Sequence, residues 1–261
     1  MSVLVTGCVS VMPARQPVKG VSTVKETEGG SGQVMVSGAD APLPRQVYDS
    51  KGQKVPYVPQ ANPYTSGNAS IPAEARARFV VADSLLRQGN LRDAQQRFHG
   101  LTEQYPALSG PWVRLGAIAE KKEKRDEAIK YYKKAISVNR NNVNAYIALG
   151  LAQRRQGYFS DAQGTYLAAL HVWKDFPEAH LNLAILYDLY ANKPEEAQKH
   201  YEAYEFLGRK DDAKVRKWIV EVRRRSGIED SFIDNPPKGI AGVQEQEAND
   251  PAAGNQAGNA G

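Results

Sequence analysis

SGPWVRLGAIAEKKEKRDEAIKYYKKAISVNRNN, residues 109–142, is followed without a gap by VNAYIALGLAQRRQGYFSDAQGTYLAALHVWKDF, residues 143–176. At an offset of 34 residues the two segments agree at six places. Trp112 lies over Tyr146, Leu115 over Leu149 and Gly116 over Gly150. Ala128 lies over Ala162, Tyr132 over Tyr166 and Ala135 over Ala169. Counted from the first residue of each segment, these are slots 4, 7, 8, 20, 24 and 27. Apolar spacings of three and four residues mark one face of a helix. Small residues at slots 8 and 20 let two such helices approach closely. Each segment predicts a helix hairpin, and recurrence at this period marks a stacked repeat.

The pattern extends outward on both sides. In 75–108, Ala82 takes slot 8, Ala94 slot 20, Phe98 slot 24 and Pro106 slot 32. In 177–211, Leu183, Ala184 and Tyr187 take slots 7, 8 and 11, and Ala197 and Tyr201 follow one residue late. The extra residue falls in the Tyr190–Lys193 turn ahead of Pro194, where an insertion costs little. Gly89 and Gly157 mark turns inside the hairpins, where positive φ is cheap for glycine. Glu123 stands at that place in 109–142, which predicts a different turn there. An amphipathic segment, 211–226, closes the stack, with Trp218, Ile219 and Val222 as its apolar side. Its Lys214, Lys217 and Arg223–Arg225 are assigned to water, as a cap requires, and Gly227 is a stop signal.

Composition separates this middle from the ends. Residues 9–70 and 227–261 are rich in Gly, Pro, Ser, Asn and Gln and lack apolar periodicity. Such segments bury too little apolar surface to offset chain entropy, so they read as a disordered tether and a disordered tail. Residues 71–226 suffice for one folded domain. The 34 basic and 29 acidic residues leave a net charge of +5, a bias too mild to fix a partner class. The lone Cys8 excludes an internal disulfide, and no apolar run is long enough for a spanning helix.

These slots resemble the tetratricopeptide-repeat (TPR) family over 71–226 of the 261 residues. The resemblance implies an all-α solenoid of about four helix-hairpin repeats, 75–108, 109–142, 143–176 and 177–211, with a C-terminal capping helix. It implies a concave groove that binds proteins or peptides rather than a catalytic centre. In that family, slots 2, 5, 6, 9, 12 and 13 of each first helix line the groove. Here they carry Val113, Arg114, Ala117, Glu120 and Lys121 in one repeat. The next carries Asn144, Ile147, Leu151, Arg154 and Arg155, and the last Leu181, Asn182, Ile185 and Leu189. The surface is apolar with guanidinium groups at its edge and lacks the Lys/Asn pattern of carboxylate-clamp repeats. It suits a partner with apolar anchors and acidic residues. The alternative is that Leu151, Ile185 and Leu189 pack on a neighbouring repeat or on the chain's own tail. The run Lys121, Lys122, Lys124 and Arg125, with Lys130, Lys133 and Lys134, reads as a solvated helix face or as a surface for an acidic protein or lipid headgroup.

Residues 1–8 carry a second resemblance. Val5-Thr6-Gly7-Cys8 resembles the bacterial lipobox, the end of a truncated signal whose cysteine becomes acylated. It implies a palmitate-type lipid on Cys8, anchored because each buried methylene contributes about 0.8 kcal/mol. Val9, in place of an aspartate, implies the periplasmic side of the outer membrane. Membrane contact would then be through the lipid alone. Residues 9–70 as a random coil would span about 45 Å. The Val55–Tyr64 stretch, with its tyrosines and prolines, is a candidate to dock on the solenoid or on a partner. Together the two resemblances point to TPR lipoproteins of envelope machines, such as pilus-assembly, gliding or TonB-linked systems. The alternative is a soluble cytoplasmic TPR adaptor or co-chaperone, if Cys8 is a plain thiol.

Catalytic and cofactor motifs are absent. His99, His171, His180 and His200 form no metal-ligand spacing, and His180 occupies bulky slot 4. There is no phosphate-binding glycine loop, no dinucleotide fingerprint and no nucleophile elbow. No cofactor or metal follows from the sequence. Nucleic acid is not expected as a partner, because the repeat tyrosines fill packing slots rather than a stacking platform.

Overall fold

The repeating slots fold as consecutive helix hairpins. The computed structural model describes residues 41–66, 71–208 and 212–236, all within one unit of the chain. Two short strands, β1 (Val47–Tyr48) and β2 (Lys54–Val55), and a single helical turn, α1 (Pro63–Ser66), precede the solenoid. The hairpins are α2 (Ala73–Arg87) with α3 (Leu91–Gln104), and α4 (Ser109–Lys121) with α5 (Arg125–Val138). They continue with α6 (Val143–Arg155) and α7 (Phe159–Val172), then α8 (Pro177–Leu189) and α9 (Pro194–Phe206). Helix α10 (Ala213–Ser226) packs on α9, and neighbouring hairpins join through α3–α4, α5–α6 and α7–α8. Helix starts are capped locally: Asn90, Asn142 and Asp212 accept backbone N–H groups of the first turn, and Pro177 and Pro194 open α8 and α9.

The small and aromatic slots form the core. Ala82, Ala94, Ala128, Ala162, Ala184 and Ala197 are fully buried, as are Phe98, Tyr132, Tyr166 and Tyr201. In the central hairpins the tyrosine ring lies directly against the glycine of slot 8. A methyl on Gly116 or Gly150 would overlap the ring of Tyr132 or Tyr166. Tyr132 also joins Leu149 and Ala152 of the next hairpin, so one side chain ties two repeats together.

The turns are alike, including the one expected to differ. Glu123 adopts the left-handed φ of 59°, beside 82° at Gly89 and 80° at Gly157. The same bonds close all three: the N–H groups of Asn90, Lys124 and Tyr158 each reach a carbonyl five residues back, on Leu85, Ala119 and Gln153. A non-glycine residue therefore bears the strain of that conformation. In the fourth hairpin Lys193 N–H reaches Tyr187, six residues back, so the extra residue does sit in this turn.

Both ends differ from the sequence reading. Residues 41–66, assigned to the tether, and 227–236, assigned to the tail, pack on the solenoid. After α10 the chain turns at Gly227 (φ 73°) and lies along α9. There the buried Glu202 accepts the Phe232 N–H at 2.8 Å and the Arg223 guanidinium at 2.7 Å. Gln198 donates to the carbonyls of Ile228 and Asp230, and Ile233 is buried. The β1–β2 hairpin then clamps this tail. Gln46 N–H donates to the Ile233 carbonyl at 2.9 Å, and Tyr48 and Lys54 bind Asp234. Arg223 and Arg225, assigned to water, instead pair with Glu202 and Asp188. Trp218, assigned to the apolar side of α10, is 38% exposed and stands beside Tyr201. Polar anchors, not apolar periodicity, hold these segments. The lipobox with Cys8, residues 9–40 and residues 237–261 lie outside the described residues.

Candidate functional site

The first helices α4, α6 and α8 set the proposed groove residues side by side. Ala117, Leu151, Asn182 and Ile185 are partly exposed, Ile147 and Ile185 rest on the core, and Leu189 is 67% exposed. The apolar part of this face is therefore continuous with the core below it and open above. Leu189, one of the residues with alternative packing readings, faces outward. Asn182 donates to the Glu178 carbonyl in its own helix. Lys121 stands exposed at the end of α4.

The arginines behave differently from one another. Arg114 pairs with Asp83 of α2 at 2.8 Å, and Arg155 with Glu120 of α4 at 2.9 Å. Arg225 of α10 pairs with Asp188 of α8. These ladders tie adjacent repeats together, and they leave those guanidiniums engaged. Arg154 stands apart: its Nη1 is buried with no hydrogen-bond partner. Glu120, Arg154 and Asp188 are successive slot-12 residues, each beside the repeat tyrosine of its hairpin, Tyr132, Tyr166 or Tyr201. Tyr132 donates to Glu120 at 3.0 Å and Tyr201 to Asp188 at 3.3 Å, while the Tyr166 hydroxyl is buried without a partner. Burial raises the Tyr166 hydroxyl to about 12, against the pull of Arg154 and Arg155.

One edge of this face carries the N-terminal segment. The buried carboxylate of Asp175, in the α7–α8 loop, accepts the Tyr57 hydroxyl and the Gln60 N–H at 2.7 Å, and pairs with Lys174. Burial works against this charge. The Gln60, Tyr57 and Lys174 donors outweigh it and hold the carboxyl below its ordinary range. Trp173 Nε1–H donates to the Gln60 carbonyl at 2.8 Å, and Tyr57 packs edge-on against Phe206. A cleft of about 540 Å³ remains between Pro59 and Asn62 on the segment and Asn144, Ile147, Phe176 and Glu178 on the solenoid. The Val55–Tyr64 stretch thus docks on the chain's own repeats and narrows the groove at Asn144 and Ile147.

Two features escaped the sequence reading. One is the Asp175 anchor. The other is the buried pair His180 and His200, whose Nδ1 atoms lie 2.9 Å apart. Among the described residues no three His, Cys, Asp or Glu side chains converge as metal ligands. No helix there is long and apolar enough to cross a membrane.

Comparison with known proteins agrees with the geometry. Two family profiles match: TPR repeat over residues 121–157 and Tetratricopeptide repeat over 147–204. No curated protein matches the chain. Among solved structures, Pseudomonas aeruginosa pilF aligns with a TM-score of 0.52 at 20% identity, over 59% of this chain and 70% of that one. MamA aligns with a TM-score of 0.50 at 17% identity, over 59% of this chain and 82% of that one. A tetratricopeptide repeat protein from Parabacteroides merdae aligns with a TM-score of 0.51 at 17% identity, over 60% and 61% of the two chains. Identities this low establish a shared fold. The recurring slots, the hairpin packing and the profile matches together show tetratricopeptide repeats within residues 121–204 of this chain.

Proposed function

We propose that this protein is a non-catalytic scaffold that holds another protein on the first-helix face of α4, α6 and α8. The observation that carries this is the exposed end of that face. Leu189 is two-thirds exposed on a helix whose other leucines are buried or half-buried. It stands beside Tyr190, whose ring lies tilted against that of Phe159 with centroids 4.5 Å apart. Apolar side chains grouped on one surface are the usual anchors of a partner. Placing negative charge on this face, by Leu189→Glu with Lys121→Glu, should abolish recovery of bound proteins from the native cell extract. Lys133→Glu on the outer face of α5 should not. The opposite pattern would overturn the assignment.

The scaffold is, on this reading, an outer-membrane lipoprotein serving an envelope assembly, anchored through Cys8. Val5-Thr6-Gly7-Cys8 supports this. Because segment 41–66 packs on the solenoid, at most residues 9–40 separate the solenoid from Cys8 on this reading. Metabolic labelling with an alkynyl fatty acid tests it. Label on the wild type that disappears in Cys8→Ala supports the anchor, and an unlabelled wild type excludes it.

A further inference from the structure

The slot-12 column described above has a gap in its chemistry at its centre. In the hairpins on either side, a carboxylate at slot 12 accepts the tyrosine hydroxyl and pairs with an arginine: Tyr132–Glu120–Arg155 and Tyr201–Asp188–Arg225. In the α6–α7 hairpin the arginine itself occupies slot 12. Arg154 and Tyr166 are both donors there, and neither Arg154 Nη1 nor the Tyr166 hydroxyl finds an acceptor among the described residues. The neighbouring acids are already matched to Arg114, Arg155 and Arg225. A buried donor without an acceptor costs free energy that an incoming acceptor would recover. Tyr166 is fully buried, and Arg154 is partly exposed on the first-helix face.

We infer that Arg154 and Tyr166 form a carboxylate subsite, filled by an aspartate or glutamate side chain of the bound protein. The inference rests on the scaffold reading and adds the chemistry of one contact to it. The incoming side chain would supply the acceptor that Glu120 and Asp188 supply in the flanking hairpins. A charge-assisted bond from Arg154 and a phenol donor from Tyr166 would together select a carboxylate over an amide, which offers one acceptor and two donors.

Three probes test it on the full chain carrying ¹⁵N-arginine: N-acetyl-Leu-Glu amide, N-acetyl-Leu-Gln amide, and N-acetyl-Leu-Leu with a free carboxylate. The glutamate probe should move the Arg154 guanidinium resonances saturably, and Tyr166→Phe should weaken that binding roughly fivefold or more. The glutamine probe should leave them in place. Equal response to glutamate and glutamine, no saturable response, or tighter binding of the terminal carboxylate would each overturn the assignment. Stability gives an independent arm. Tyr132→Phe and Tyr201→Phe should lower the melting temperature, and Tyr166→Phe should keep or raise it. An equal loss at Tyr166 would mean its hydroxyl is already satisfied in the free protein, and the subsite would fall. Recovery of partners through Leu189 is read separately, so failure of the subsite is distinguishable from failure of the scaffold.

Discussion

His180 and His200 face each other through Nδ1 atoms 2.9 Å apart, fully buried between α8 and α9. His180 Nε2 lies 2.8 Å from the Lys174 carbonyl, which can only accept, so this nitrogen carries the proton. In the neutral ring Nδ1 of His180 is then the acceptor, and His200 donates to it. One proton occupies the contact, and a second would set two N–H groups against each other. Burial pushes His180 down to about 4, with the Lys174 carbonyl and Asp175 pulling upward and Lys174 downward. Burial pushes His200 well below its ordinary value, and His180 and Lys199 add to that.

Above pH 6.5 both histidines are neutral folded or unfolded, and they contribute no pH dependence. Below it the unfolded chain binds protons that the fold refuses. Stability is therefore lost as pH falls from about 6.5 towards 4, by up to about 1.4 kcal/mol per pH unit for each histidine. Denaturant titrations at pH 7 and pH 5 should show this loss, and His200→Gln should reduce it while lowering stability at pH 7. A parent protein equally stable at both pH values would contradict the pairing.

Glycine substitutions separate close packing from helix propensity. Gly116→Ala and Gly150→Ala place a methyl inside the rings of Tyr132 and Tyr166 and should each cost about 1–3 kcal/mol. Gly100 and Gly164, in α3 and α7, have nothing within 4 Å of the point where an alanine methyl would stand. Alanine there should stabilise by about 0.5–1 kcal/mol. Thermal melts of the four variants check both signs.

Glu123 bears a left-handed φ of 59° in a turn whose equivalents are glycine. Glu123→Gly should raise stability by up to about 1 kcal/mol, because glycine adopts that region without the Cβ penalty. Denaturant midpoints at constant slope measure it. A destabilised variant would show that the side chain contributes more than the strain removes.

Asp175 fastens residues 57–60 to the solenoid. Asp175→Asn loses the ion pair with Lys174 and leaves one acceptor for the Tyr57 and Gln60 donors, at a cost of about 1–3 kcal/mol. The local effect should exceed the global one. Trypsin should cut at Lys51 or Lys54 faster in the variant than in the parent, while cleavage within the repeats changes less. Unchanged cleavage would mean that the β1–β2 contacts to Asp234 hold the segment alone.

The solenoid was legible because its information is periodic. Each slot recurs after 34 residues, so Gly116 and Gly150, or Tyr132 and Tyr166, read one another. The packed ends were not. Tyr57 finds Asp175 across 118 residues, and Tyr48 finds Asp234 across 186, through single polar contacts that leave no pattern. The tyrosines and prolines of Val55–Tyr64 were the one available hint. The histidine pair was half legible: slot 4 announced burial for His180, and the shifted register of α9 hid the partner. The groove residues could be named from slot numbers alone. Which arginines are engaged could not, because Arg114, Arg154 and Arg155 look equivalent in sequence and differ only in whether an acid stands opposite.

The central claim is that partners bind the first-helix face. Its most direct measurement is photo-crosslinking, with benzoylphenylalanine placed in turn at Leu189 and Lys121 on that face and at Lys133 on the outer face of α5. Mass spectrometry then identifies what is joined. One and the same protein should be captured from Leu189 and Lys121 and not from Lys133. Capture from Lys133 alone would contradict it.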